Sequence, residues 1–600
     1  MRKKILSGIL AAVLAMSLLS ACGRFTARAD GEEPSVLGSD AAVTEETIAI
    51  VLRDGGSRCE SPGVEISGDT VAITAAGDYV LSGSLSDGQI LVNAPDDAKV
   101  KLILNGVSIV KNGHAAIYAL SADRLVLSTA EGSENLLQSA GDFVQIDENN
   151  VDAAVFAKCD LTLSGDGVLN ISSLTGHAVV SKDDLKLKSG TVNLEAASKG
   201  LCGKDSVVVE GGVLNADVGT DGIYAGKSED SGKGTIRIDS GVLNLLCQKE
   251  GLDASGDIRI TGGELVVNAG SGQEGMGIQS DANIIIDGGS VTVTSVDDAI
   301  HASGSVTLSG ADLQLSTGDD GVHADDTLTV SGGSLSVLRS YEGLEAQVIK
   351  VSGGDIRVNA SDDGLNAAGG NDNSNSMGFF GGDPFVTDSD ASLTISGGTV
   401  HINAEGDGLD SNGYLYMSGG SVFISGPTNG GNGAIDYGID ASISGGTIVA
   451  AGAAGMAENF GQNSSQASML VNFSSTQAAG STIYLLDKTG GILVSYTPEK
   501  SYSSVVISTS GLSVGESYTV VAETEEAAVT LDSLIYGSGG MMGGFGPMGG
   551  PGGGFDGQSR PDGFPQGNFG PMPRPDGNSF NGNASWPTPD SAPEGGTEQN

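Results

Sequence analysis

The chain has 600 residues, 75 of them acidic and 29 basic, which gives a formal charge of −46. A field of that sign excludes partners with a phosphate backbone and favours cations, or ligands reached through cations. Glycine at 95 residues, aromatics at 4% and hydrophobic residues at 39% describe a chain that buries apolar surface in an architecture rich in turns and poor in large side chains.

Arg2, Lys3 and Lys4 form a basic stretch, followed by an apolar run from Ile5 to Leu18 that is too short for a comfortable membrane span. The run ends in Leu19, Ser20, Ala21 and Cys22, which resembles a lipobox. Residues 1–22 therefore read as a lipoprotein signal segment, with Cys22 acylated after cleavage. An acylated cysteine carries enough lipid chains for stable attachment. The expected location is the extracytoplasmic face of the cell membrane, with the lipid as the only membrane contact. Residues 23–45 are small and polar and read as a flexible tether.

Residues 46–115 contain alternating segments at Ile48–Leu52, Val71–Thr74, Tyr79–Leu81 and Ile90–Val92, which predict an N-terminal β region and first coils. Residues 116–466 are a repeat. Each unit reads acid, Gly, apolar, polar, Ala or Ser, then a short strand, a Ser-Gly-Gly turn and a second short strand. Asp320–Val337 and Glu342–Val358 show it side by side. A glycine column runs from Gly200 through Gly222, Gly251, Gly277, Gly321, Gly343, Gly364 and Gly408 to Gly438; Ala116, Ala154, Ala178 and Ala299 hold the same place in other coils. Strands this short do not stand alone, but stacked coils pair each with its counterpart and bury the Val, Ile and Leu positions in one stripe. The prediction is an all-β parallel solenoid (β-helix) of about 13 coils of about 22 residues, right-handed by analogy with parallel crossovers.

Residues 467–536 lose the repeat and suggest a small antiparallel β cap on the last coil. Residues 537–600, made largely of Gly, Pro, Met, Asn and Asp, read as disordered. Cys59, Cys159, Cys202 and Cys247 match neither a zinc motif nor a disulfide framework and are expected to be free thiols.

The residues before the glycine column are acids: Glu250, Asp298, Asp320, Glu342, Asp363 and Asp407, doubled by Asp297, Asp319 and Asp362. Two places after the acid-flanked glycine position lie Asp253, His301, His323, Glu345, Asn366, Asp410 and Asp440, and the residue between is apolar. Stacked strands sit about 4.8 Å apart. Unit charges at that distance repel by about 1 kcal/mol in water and several times that when partly desolvated. Calcium, with oxygen ligands at about 2.3–2.6 Å, fits between carboxylates of adjacent coils. The alternative is a row of hydrated turn acids. His301 and His323 share one column and read as its solvated members, or as contacts to a sugar or metal. Asn170, Asn193, Asn215 and Asn244 recur in four successive coils and suggest an amide ladder, with a row of sugar-binding amides as the alternative. An insertion after Asn366 carries Phe379, Phe380 and Phe385, which offer either a stacking surface for a sugar ring or a lid over a coil.

Tyr79–Val92, then Val100–Ile109, then the repeated acid-Gly-apolar coils resemble a clostridial family of calcium-containing carbohydrate-binding β-helix proteins over about residues 45–535. That resemblance implies a right-handed parallel β-helix similar to pectate lyases, calcium, and affinity for plant-cell-wall polysaccharide such as pectic acid or cellulose. The acid column is the matching place for its calcium ligands. Three readings follow: a non-catalytic polysaccharide-binding surface protein, a calcium-dependent polysaccharide lyase, and a structural adhesin without a glycan ligand. A lyase also needs a basic residue at the site. Of Lys199, Lys204, Lys249, Arg339, Lys350 and Arg357, only Lys249 adjoins the acid column in sequence. The binding protein, acting as a monomer, is the preferred reading.

Overall fold

The computed structural model describes residues 47–226, 232–270, 274–368 and 387–537. These contain no helix; they form a parallel β-solenoid of about 15 turns with a small antiparallel sheet. Cys22, residues 1–45 and the tail beyond 537 lie outside the described residues.

Each coil of the central body has three strands, not the two expected. Leu252–Ala254, Ile258–Ile260 and Glu264–Ala269 form one coil, and Ile278–Ser280, Ile284–Ile286 and Ser290–Thr294 the next. Each strand pairs in parallel with its counterpart one coil on, as in Leu252↔Ile278, Ile258↔Ile284 and Leu265↔Val291. The strand missed in the sequence is the three-residue apolar-polar-small segment after the glycine column. Three residues show almost no periodicity, so the sequence does not mark it as a strand.

Alternation sets which side chains enter the core. Leu252, Ile278, Ile300, Val322, Leu344, Leu365 and Leu409 all point inward and are buried, so the first strands contribute one unbroken apolar column. Burial of each such side chain stabilises by about 1.5–3 kcal/mol. The glycine column follows from the same stacking. A Cβ at Gly251 would lie 2.6 Å from the carbonyl oxygen of Gly277, and one at Gly222 2.7 Å from that of Gly251. The Ser-Gly-Gly turns use glycine for a different reason: Gly333 has φ +82°, which L side chains rarely adopt.

The column ends earlier than expected. Leu409 bridges Ile435, and Gly408 donates its amide to the carbonyl of Gly433, so Ala434 and Asp436 succeed Gly408 and Asp410. Gly438 and Asp440 are therefore not column members; Asp440 instead opens a second-type strand, paired with Tyr414. The last coil is closed by Tyr502–Ser508, which pairs antiparallel with Asp440–Gly452 and with Ser468–Gln477. A separate antiparallel sheet of Ile483–Asp487, Ile492–Tyr496, Ser517–Val521 and Glu526–Thr530 shares a second core with Asp440–Gly452, Ser468–Gln477 and Tyr502–Ser508. The four cysteines in the body are free, three of them buried. The asparagine ladder is real: Asn193, Asn215 and Asn244 each donate Nδ2 to Oδ1 of the asparagine one coil earlier, at 2.8, 2.9 and 2.9 Å.

Candidate functional site

The middle residue of each first strand points away from the core, and these residues form one column along the solenoid. Pairing runs Leu91, Tyr118, Phe156, Val180, Cys202 and Tyr224, then Asp253, Gln279, His301, His323, Glu345, Asn366 and Asp410. The column thus changes from an apolar strip to a polar and ionic one at Asp253. Tyr118, Phe156, Val180 and Cys202 are buried in their own cluster.

Beside the ionic part stand the acids that precede the glycine column, and the backbone explains their orientation. Asp298 Oδ1 accepts the amide N–H of Asp320 at 2.9 Å, and Asp320 Oδ1 accepts that of Glu342 at 3.3 Å. Asp363 and Asp407 repeat the contact with the amides of Asp407 and Gly433. At these four acids one carboxylate oxygen ties the coil to the next, and at Asp298 and Asp320 the other turns toward the column. Asp298 Oδ2 lies 2.8 Å from His301 Nδ1, and Asp320 Oδ2 3.3 Å from His323 Nδ1.

Three groups of side chains result, the first two with candidate ligand atoms within 4.8 Å of one another and the third joined by electrostatic interaction. In the first, Glu250 and Asp253 meet Asp221, a residue the sequence reading overlooked although it precedes Gly222 in the same motif. Burial and the Asp221 carboxyl push Glu250 up to about 7, and burial with Asp221 pushes Asp253 up to about 6. Lys199 reaches this group from a neighbouring coil, pairing with Asp221 and lying 3.9 Å from Asp253 and 3.3 Å from the centre of the Tyr224 ring. Lys249, the expected basic partner, is exposed instead. Met276 and Gln279 then interrupt the acids for one coil.

The second group joins Asp297, Asp298 and Asp319, and continues through His301 and His323 to Asp320, Glu342 and Glu345. His323 is not a solvated column member: it is fully buried, its ring stacks on that of His301 at 4.7 Å, and its Nδ1 lies 2.8 Å from Glu345 Oε2. Acids folded over the outward face remove it from water. Burial opposes its charge, but hydrogen bonds to Asp320 and Glu345 outweigh this and raise it to about 11. Burial opposes Glu345 too, yet its bond to His323 holds it below the usual range. Asp320 and Glu342, buried among other acids, rise well above theirs.

The third group is Asp362, Asp363, Asp407 and Asp410, extended by Asp436, which was also missed. Burial and the neighbouring carboxylates hold Asp363 well above the ordinary range. Burial, Asp363 and Asp410 push Asp407 up to about 9, while burial and Asp436 push Asp410 up to about 7. Asn366 is buried beside these acids and donates Nδ2 to Glu342 Oε2 at 2.7 Å. Phe379, Phe380 and Phe385 lie outside the described residues.

Asp221 Oδ1 and Asn366 Oδ1 are buried acceptors without a hydrogen-bond partner. A buried carboxylate or amide oxygen left unpaired costs about 1–3 kcal/mol. Oxygen donors within 4.8 Å of one another, on stacked coils, match the ligand chemistry of a hard divalent cation. The acid column carries the carboxylates such a cation would bridge.

Residues 67–321 match the profile of a family described as carbohydrate-binding domain-containing protein. A curated carbohydrate-binding domain-containing protein of Acetivibrio thermocellus is 32% identical over 136 residues, which is 22% of this chain. The match spans 48% of that relative, so the chain covers about half its length. A solved polysaccharide lyase-like protein from C. thermocellum, in a gadolinium derivative, is 26% identical with a TM-score of 0.35, covering 48% of this chain and 97% of that one. The matched family and the curated relative carry the same description, that of a carbohydrate-binding domain.

Proposed function

We propose that the protein is a lipid-anchored surface protein that holds acidic polysaccharide along the acid column through calcium. The observation that carries this reading is the grouping of carboxylates from successive coils, with buried oxygens on Asp221 and Asn366 that lack partners. Calcium at these groups would neutralise carboxylates that otherwise repel, and would leave coordination positions for uronate carboxylates of a polymer lying along the coils. This accounts for an acidic protein binding an acidic chain. Phe379, Phe380 and Phe385 would add a stacking surface, and Cys22 the anchor. The test is Asp320→Asn with Asp363→Asn, scored by calcium calorimetry and by retention on immobilised polygalacturonate. Asparagine keeps the oxygen that accepts the next coil's amide, so the coils stay folded while both readouts fall. Normal retention despite lost calcium would refute the calcium bridge.

A second reading, a calcium-dependent lyase, is favoured by one observation: Lys199 stands beside Asp221 and Asp253. An amine there is placed to accept a proton next to a uronate carboxyl, provided its ion pairs are released. Accumulation of ultraviolet-absorbing unsaturated uronides with calcium, abolished by Lys199→Ala, would establish it. Polymer that is retained but never cleaved would leave the binding function alone.

A further inference from the structure

The asparagine ladder lies on the third strands and faces a groove of about 550 Å³, which the first-strand acids do not line. Its floor is one outward column in strict register: Leu136, Asn170, Asn193, Asn215, Asn244 and Val266. The neighbouring inward residues, such as Leu169, Val192, Leu214 and Leu243, are buried, which fixes the amides on the outer face. A primary amide offers two N–H donors and an oxygen with two lone pairs. The ladder uses one N–H and one lone pair of each interior member. The remaining donor and acceptor of each are left to the groove, repeated at the strand spacing of about 4.8 Å.

A second outward column borders the first. Ser172, Glu195, Asp217, Leu246 and Asn268 follow one another in register along it. Glu195 and Asp217 are exposed, and Leu246 is 48% exposed. No Lys or Arg lines this groove. Carboxylates with no counter-charge repel polyuronates, nucleic acids and anionic lipid. The paired donor and acceptor of each amide, with apolar side chains at Leu136, Val266 and Leu246, suit a ring that carries hydroxyls on its edge and C–H groups on its face.

We infer that this groove is a second glycan site, for a neutral linear polysaccharide, and that it works without a cation. The inference shares with the proposed function only the carbohydrate class of ligand; it depends on neither calcium nor the acid column. Residues 67–321, which match the carbohydrate-binding family, contain the whole ladder.

The test is calorimetry in excess chelator with hexasaccharides of the cellulose, xylan and mannan types. The wild type is expected to bind at least one of them. Asn193→Ala with Asn215→Ala, and separately Asp217→Arg, should each weaken that binding by about tenfold or more, equivalent to about 1.4 kcal/mol. Asp217→Arg leaves the ladder intact, so it remains informative if the double variant fails to fold. Asp320→Asn with Asp363→Asn should leave neutral binding unchanged, even where polyuronate retention is lost. Absence of binding to all three hexasaccharides overturns the inference. So does binding that survives Asp217→Arg undiminished, or binding that disappears with the acid-column variant.

Discussion

The carboxyl groups of the acid column make the metal-free protein sensitive to pH in an unusual direction. Glu250 moves from 4.5 to about 7 on folding, Asp253 and Asp410 from 3.8 to about 6 and about 7. A carboxyl raised in this way keeps its proton in the folded state while the unfolded chain has already ionised. Stability is therefore fully present below the unfolded value and is lost as pH rises through the folded one. One pKa unit corresponds to 1.36 kcal/mol, and because Glu250 is only half-buried, solvent screening reduces its contribution to a loss on the order of 1–2 kcal/mol between about pH 4.5 and pH 7. For a body of this length, each kcal/mol moves Tm by about 1 °C if it unfolds together, and by more if a few coils open first. Calcium reverses the trend, because it favours the ionised carboxylates. At a free concentration about 100 times Kd, one site adds about 2.7 kcal/mol. Thermal unfolding in chelator and in calcium, at about pH 5 and about pH 8, is the assay. Tm should fall with pH in chelator, and calcium should restore it mainly at the higher pH. A metal-free Tm that rises over this range, or no calcium effect at pH 8, would refute the reasoning.

Other expectations concern fold and anchoring. Leu344→Ala removes a buried member of the inner column and should cost about 2–5 kcal/mol, with hydrogen exchange accelerating first in the adjoining coils. Gly343→Ala places a Cβ against the Gly364 carbonyl oxygen and Val358, so the melting temperature should fall although the added group is a single methyl. Cys22→Ala should release the protein from the membrane fraction, and equal retention on fractionation would exclude the lipid anchor.

The solenoid was legible because its constraint is local and repeated. Glycine or alanine recurs at one place in every coil, and at the glycines a Cβ would strike the next coil's carbonyl, a pattern that sequence drift does not hide. The asparagine ladder was legible for the same reason: one residue type in one register. The site was only half legible. Asp298, Asp320, Asp363 and Asp407 follow the repeat and were found. The burial of His323 was not, because alternation marks an outward position and says nothing of acids folding over it from the preceding turn. Lys199 was named among the basic residues but passed over in favour of Lys249, although it precedes Gly200 and so holds the place that acids hold in other coils. Asp436 was missed because Gly438 imitates the column while the true register runs through Ala434.

Fold and proposed binding share atoms in the acid column, and a single position can separate the two roles. Asp298 is buried and uses Oδ1 to accept the Asp320 amide at 2.9 Å, while Oδ2 faces His301 at 2.8 Å. Asp298→Asn retains an oxygen for the amide but removes the charge; Asp298→Ala removes both. In chelator, the alanine variant leaves a buried N–H without its acceptor, at a cost of about 1–3 kcal/mol, whereas the asparagine variant also lowers like-charge repulsion and should match or exceed the wild type. In calcium the order changes, because the wild type gains the ion's stabilisation and both variants lose part of it. Denaturant unfolding of the three proteins under both conditions measures this directly. If asparagine and alanine destabilise equally in chelator, the carboxylate's contact with the next coil's amide is not what holds it in place, and the shared role assigned to the acid column is wrong.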